Sequence, residues 1–347
     1  MGEKLRDKSR VEFLDRLTTA EVHDLATNPN LKVLQTARPV SLPTWELLNQ
    51  NLFATRPDVQ LRVYGFYTST CDLSFVAKMS NVRRFSADCL MQAVGIEHLS
   101  ALQNLEELSV GIFNLDSFDF LTTIPRSIRD LSLAATKSKK PRLDVLRHFQ
   151  SLRKLYLEGQ QNGIEVIAHL PELEDITLRS IRTSGVEYLS KLPRLWSVDI
   201  KLGGIQDLSA IAGKESIKYL ELWQIRGLSD ISVVSSLIGL QYLFLQALRN
   251  VDTIPDLSRL TKLRKIVLDN MKGLKDVSAI GMAPALEEFL HIAAQGFSVK
   301  EYWDLLDKPS LKQALIGFCS QSKNEKFADL IRQSGRSQYR RVEFVFQ

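Results

Sequence analysis

Along most of this chain the apolar positions recur as apolar-x-x-apolar-x-apolar, one copy every 21 to 25 residues from Val82 to Ile316. The copies are Val82/Phe85/Ala87, Leu105/Leu108/Val110, Ile128/Leu131/Leu133, Leu152/Leu155/Leu157, Leu173/Ile176/Leu178, Leu195/Val198/Ile200, Ile217/Leu220/Leu222, Leu240/Leu243/Leu245, Leu263/Ile266/Leu268, Leu286/Phe289/His291 and Leu311/Ala314/Ile316. Weaker copies flank them at Leu31/Leu34/Thr36, Leu61/Val63 and Tyr339/Val342/Phe344, which predicts about fourteen coils. A period of this length, held over so many copies, is the signature of a repeat solenoid. Each coil of such a fold buries a thin apolar layer that only its neighbours complete.

Within a copy, the period-two alternation at the second and third apolar positions predicts a short strand with those side chains inward. The remaining residues must return the chain. Several returns read Gly-apolar-Glu-x-apolar-x-x-Leu, from Gly95 to Leu102, Gly163 to Leu170 and Gly185 to Leu192, and their three-to-four spacing predicts a short helix on the strand layer. Others carry Asp-apolar-Ser, at Asp207-Leu208-Ser209, Asp230-Ile231-Ser232 and Asp276-Val277-Ser278. There the Asp and Ser side chains are placed to hydrogen-bond free backbone N–H groups as a turn enters a helical or 3₁₀ segment.

With these repeats the chain resembles the leucine-rich repeat family, and the Asp-apolar-Ser returns look like the short repeats of its internalin-like and phosphatase-regulator-like members. The resemblance implies an α/β solenoid, a curved horseshoe with a parallel sheet on the concave face and short helices or 3₁₀ turns on the convex one. One column departs from the family. Eight residues after the first ladder position, where Asn or Cys usually satisfies the turn, this chain has Leu90, Phe113, Thr136, Gln160, Ile181, Gly203, Ile225, Leu248, Met271, Ala294 and Cys319. A mostly apolar column makes no Asn ladder, so an irregular array held by side-chain packing is expected.

The ends of a solenoid expose core and sheet edge unless they are closed. Residues 1–30 are expected to form a helical cap, with Thr18 and Glu21 as a capping box opening a helix through Val22 and Leu25. Residues 31–320 form the repeats. Residues 321–347 are expected to close the other end with a helix carrying Phe327, Leu330 and Ile331 and a final strand from Arg341 to Phe346.

Composition changes this picture little. The chain has 347 residues, 44% hydrophobic and 24% charged, enough for a folded core and with no need of two domains in a repeat array. Three cysteines, Cys71, Cys89 and Cys319, are too few for a disulfide framework and point to a reducing compartment. The opening residues contain no apolar signal region, Arg6 spoils Gly2 as an acylation site, and no run is apolar enough to span a membrane, so the expected location is cytoplasmic. A net charge of +5 permits nucleic-acid binding without implying it. The basic runs Lys137 to Arg142 and Arg336 to Arg341 fall between strands and read as solvated loops.

Catalytic chemistry is not indicated. His23, His98, His148, His169 and His291 have neither metal-ligand spacing nor a neighbouring nucleophile, and there is no phosphate-binding glycine motif, so no cofactor or metal is expected. His291, at an inward ladder position, reads as a core histidine. Leu42 to Leu48 superficially resembles the opening of an F-box, but Pro43 in the first turn of a return helix explains the same residues.

The outward positions are more informative, because residues two, four and six after the first ladder position face away from the core. Most are polar. Two adjacent coils instead carry Tyr219, Glu221 and Trp223, then Tyr242, Phe244 and Gln246. Trp196 and Tyr156 extend the aromatic set, and Lys201, Glu221, Lys265 and Asp269 are placed to rim it. Aromatic anchors in a charged surround make a protein-binding hot spot, while the plainer reading is cross-strand packing that stabilises the sheet. The expected function is a non-catalytic module gripping a protein or peptide, rather than nucleic acid, on the concave face. The alternative is a regulatory or inhibitory subunit of one enzyme, of the immunity-protein or ubiquitin-ligase substrate-receptor kind. A second patch, Val267, Leu290, Ile292 and Leu315, is expected to be covered by the C-terminal segment or by a second copy of the chain.

Overall fold

Strands form where the ladder alternates. The structure, a computed structural model, describes residues 8–337 and 339–347, so Gly2, Arg6 and Gln338 lie outside the described residues. The chain divides into two units, residues 1–173 and 174–347. In the first, β1 (Arg10–Glu12), β2 (Val33–Thr36), β3 (Gln60–Tyr64), β5 (Arg84–Leu90), β7 (Glu107–Ile112), β8 (Asp130–Leu133) and β9 (Lys154–Glu158) lie side by side, while β4 (Cys71–Asp72) pairs with β6 (Ala93–Val94) in a separate ribbon. In the second, β10 (Asp175–Arg179), β11 (Ser197–Lys201), β12 (Tyr219–Trp223), β13 (Tyr242–Gln246), β14 (Lys265–Asp269), β15 (Glu288–Ile292) and β16 (Gln313–Ile316) follow in chain order. These neighbours pair in parallel with equivalent positions opposite one another, as in Tyr219↔Tyr242, Glu221↔Phe244 and Trp223↔Gln246.

The ladder residues from Val82 to Ile316 are all buried, none more than 5% exposed. Truncating one of the leucines in such a layer, Leu243 for example, costs about 3–5 kcal/mol through lost transfer energy and the cavity left behind. The returns are short because each must come back within one coil. Those beginning at Gly95 and Gly163 are 3₁₀ turns over Ile96–Ala101 and Ile164–His169. The Asp-apolar-Ser returns open on side-chain bonds: the Ser209, Ser232 and Ser278 N–H groups donate to Asp207, Asp230 and Asp276 Oδ1 at 2.8, 2.7 and 2.8 Å. Asp256 with Ser258, and Asp72 with Ser74 in the first unit, make two further such turns at 2.8 Å.

In the second unit the turns after β10 to β15 show how the fold manages without an Asn ladder. Ser180, Leu202, Gln224, Ala247, Asn270 and Ala293 all adopt left-handed φ values of 50–60°. In that conformation the Ser180, Leu202, Gln224, Ala247 and Asn270 N–H groups reach across to the carbonyls of Lys201, Trp223, Gln246, Asp269 and Ile292 in the next coil at 2.8–2.9 Å. The backbone therefore satisfies itself from coil to coil, and the following residue turns inward: Ile181, Ile225, Leu248, Met271 and Ala294 are buried. At Gly203 the coils approach so closely that a Cβ would stand 2.3 Å from the Ile181 carbonyl oxygen.

The ends are closed with differences from expectation. Helix α1 (Thr19–Thr27) has the capping box, Thr18 Oγ1 accepting from Glu21 N and Glu21 Oε2 accepting from Thr18 N. Ahead of it stands β1, which the pattern did not mark: Val11 and Phe13 are buried, and Phe13 packs edge-on against Trp45 of α2 (Leu42–Leu48) with centroids 5.5 Å apart. Trp45 also stacks on Phe75 at 4.0 Å and is 2% exposed, and Leu48 is buried with it, so one side of the segment that resembles an F-box packs into the core while Leu42 is 53% exposed. Later come α3 (Ser278–Met282), α4 (Trp303–Leu306) and the closing helix α5 (Gln321–Gln333), which buries Phe327 and Ile331. The segment Arg341–Phe346, expected as a final strand, pairs with no strand among the described residues. The Arg336 guanidinium, read from sequence as part of a solvated loop, instead donates to the carbonyls of Lys308 and Leu311 at 2.6 and 3.1 Å.

Candidate partner-binding face

On the outward side of β10 to β16 the register brings most of the expected residues together. Tyr219 and Tyr242 meet edge to face with centroids 5.1 Å apart, as directly opposed residues on parallel strands can. Trp223 is half-buried with the Lys201 ammonium 5.6 Å from its ring centre, and Phe244 is half-buried on the neighbouring strand. Trp196 stands just before β11 on the same side. Tyr156 lies on β9 of the first unit, where its hydroxyl donates to Glu158 Oε2 at 3.2 Å.

The charged residues expected as a rim are drawn into the sheet surface instead. Lys201 Nζ lies 2.5 Å from Asp199 Oδ2 and 3.3 Å from Glu221 Oε1. The Tyr219 hydroxyl donates to the other Glu221 oxygen at 2.5 Å. Burial pushes the Asp199 carboxyl up to about 6, against the pull of Lys201, and its Oδ1 has no hydrogen-bond partner among the described residues. Burial likewise pushes the Tyr242 phenol up to about 12. Lys265 is 5% exposed, 3.0 Å from Glu288 and 5.2 Å from the Tyr242 ring centre, and Asp269 accepts from the Gln246 amide at 2.8 Å. Of the second patch, Val267 and Leu290 are buried, while Ile292 and Leu315 are 42% and 43% exposed.

Four residues outside the sequence-derived set belong to this face: Gln241, Arg264, Phe344 and Phe346. Phe346 packs on Trp196 and Tyr219 with centroids 5.1 and 6.0 Å apart, and Phe344 on Tyr242 at 5.2 Å. The Arg264 guanidinium lies 4.7 Å over the Phe344 ring and donates to the Val345 carbonyl at 2.5 Å. Gln241 holds the backbone of Gln347 at both ends of one peptide face, its Nε2 donating to the carbonyl at 2.7 Å and its Oε1 accepting from the N–H at 2.8 Å. The signal was present in the alternation of Val342, Phe344 and Phe346, but alternation does not say which surface receives the aromatic side.

The aromatic set is thus divided. Trp196, Tyr219 and Tyr242 lie under the tail, whereas Trp223 and Phe244 take part in no ring–ring contact among the described residues. Strands in register, a fully buried ladder and a turn repeated coil after coil decide the architecture. Each unit has the fold of a leucine-rich repeat solenoid.

No protein-family model and no curated protein sequence matches this leucine-rich repeat chain. Among solved structures it is similar to an internalin (inlF) of Listeria monocytogenes, at 19% identity over 82% of this chain and 87% of that one, with a TM-score of 0.49. Internalin C2 of the same organism is 21% identical over 55% of this chain and 82% of its own, at 0.42. A leucine-rich repeat protein of Leptospira interrogans is 14% identical over 91% of both chains, at 0.49. These likenesses concern the fold and say nothing of a partner.

Proposed function

We propose that the chain is a non-catalytic binding module whose strand face in the second unit, the concave face in the leucine-rich repeat resemblance, holds a protein partner, with Trp223 and Phe244 as anchors. The observation that carries this reading is that these two half-buried rings take part in no ring–ring contact among the described residues, whereas Trp196, Tyr219 and Tyr242 beside them pack against Phe344 and Phe346. Large rings bury much area at little entropic cost, and a polar surround excludes water from around them. The charged groups beside them are already paired, Lys201 with Asp199 and Glu221, which suits a surface that orients a partner better than one that moves protons. Replacing both Trp223 and Phe244 by alanine is expected to leave the thermal midpoint within a few degrees while abolishing the specific capture seen with the native chain in affinity purification and then with the purified partner by calorimetry. A double variant that unfolds, or one that captures the partner undiminished, sinks the reading in favour of plain cross-strand packing.

A further inference from the structure

The closing segment of the chain behaves as a bound peptide. It is extended, pairs with no strand among the described residues, and crosses the leading ends of β16 to β12 held at separate points. Gln313 brackets Arg340 as Gln241 brackets Gln347: its Oε1 accepts from the Arg340 N–H at 2.9 Å and its Nε2 donates to the carbonyl at 3.3 Å. Two buried or half-buried amides thus read only main chain, which any sequence offers, and the Arg264 guanidinium joins a main-chain carbonyl to the face of the Phe344 ring. Side-chain reading is confined to Phe344 and Phe346. Phe344 and Phe346, on one side of an alternating chain, face the sheet, while Glu343 and Val345 on the other side are exposed; Val342, which shares the side of the two rings, is 61% exposed, so the side-chain contact begins at Phe344. The fit is also incomplete, since a groove of about 320 Å³ remains between Trp196, Ser197, Tyr219, Tyr242 and the two tail rings.

We infer that the groove floored by Trp196, Tyr219 and Tyr242 is a recognition site for an extended segment of a partner protein that carries aromatic residues two positions apart, and that the chain's own Phe344-Val345-Phe346 is its resident competitor. The inference rests on the reading of this face as a protein-binding surface and names what one part of it reads. The occupant's chemistry is displayed by the tail itself: two aromatic rings at i and i+2, with the backbone between them free to meet Arg264 and the peptide beyond free to meet Gln241. A tethered competitor acts at a high effective concentration, so an incoming segment sees only the fraction of molecules whose tail has lifted. The tail therefore sets a threshold that a partner must exceed.

The test uses the full chain and a fluorescein-labelled synthetic peptide of sequence Arg-Val-Glu-Phe-Val-Phe-Gln, followed by fluorescence anisotropy. The variant Phe344→Ser/Phe346→Ser keeps the tail but empties the groove, and it is expected to bind the peptide about tenfold or more tighter than the native chain. Adding Trp196→Ala to that variant, or replacing both phenylalanines of the peptide by serine, is expected to return binding to background. Should the double serine variant melt far below the native chain, the milder Phe344→Leu/Phe346→Leu, which loosens the tail and leaves Arg264 and the groove residues intact, takes its place with the same direction of change expected. Equal binding by the native and emptied chains, or binding indifferent to Trp196 and to the peptide's rings, overturns the inference. Partner capture through Trp223 and Phe244 is read in a separate assay, so either idea can fail while the other stands.

Discussion

His291 shows what a single substitution into the ladder entails. It occupies an inward position that the other coils from Val82 to Ile316 fill with aliphatic residues, is 1% exposed, and sits among Phe289, Phe297 and Tyr302 with Nδ1 2.8 Å from the Tyr302 hydroxyl. Burial lowers its pKa from 6.5 to about 4, so the folded chain holds it neutral at pH 7. The unfolded chain takes up the proton first as pH falls. The stability this residue contributes is present above about pH 6.5 and is lost progressively toward pH 4, by on the order of 3 kcal/mol in all. Asp199 runs the other way, because a carboxyl raised to about 6 in the folded state is relieved of a charge penalty as pH falls through that value. Urea midpoints of the native chain and of His291→Gln, compared at pH 7 and pH 4.5, isolate the histidine. The variant is expected to lose less stability over this interval, and parallel behaviour of the two proteins would count against the assignment.

At the scale of the element, the turn after each strand carries the argument. A left-handed conformation costs an ordinary L-residue roughly 1–2 kcal/mol, and the second unit accepts that cost at several consecutive turns for one coil-to-coil hydrogen bond each. Ala247, with φ 52° and its N–H on the Asp269 carbonyl at 2.9 Å, is the simplest place to test this. Ala247→Gly is expected to be neutral or to raise stability by up to about 1 kcal/mol, since the relief of strain offsets the added freedom of the unfolded chain. Ala247→Val is expected to lower it by about 2 kcal/mol or more, because a β-branched residue is poorly tolerated at positive φ. A denaturation series in which valine matches glycine would show that the turn relaxes out of the left-handed region. The strands of the ladder and their inward residues were legible from spacing alone, as was the capping box at Thr18 and Glu21, whereas β1 and the β4–β6 ribbon were not. The turns were not, because nothing in Ser180, Leu202, Gln224 or Ala247 announces a left-handed residue. The tail was half legible: its alternation marked one apolar side, yet Gln241 and Arg264, which fasten it, look like any polar residues before a strand. For the same reason Lys265 read as a rim charge, although the neighbouring Glu288 and the Tyr242 ring draw it inward.

For the molecule as a whole, coils that contact mainly their neighbours lend one another stability in sequence, so the terminal ones depend on their caps. In the second unit that cap is α5, which places Phe327 6.0 Å from both Phe318 and Tyr302. Phe327→Ser is expected to loosen the array from its end. Hydrogen exchange should speed most at β16, less at β15 and β14, and little at β11. Uniform acceleration along all these strands would mean that the unit unfolds as one block. The residues proposed to hold a partner lie on β11 to β14, well inside the unit, where neighbouring coils support the strand face on both sides.

The stacked left-handed turns have a further consequence for how such a chain can change in length. Since Gln224 and Ala247 present the same N–H to the next coil, removing residues 225–247 would leave Gln224 joined to Leu248, with the carbonyl of Asp269 in place of that of Gln246. Whole coils are therefore interchangeable parts at the level of the main chain. A protein built this way can lengthen or shorten its recognition surface by one coil at a time, without needing a particular side chain at the splice.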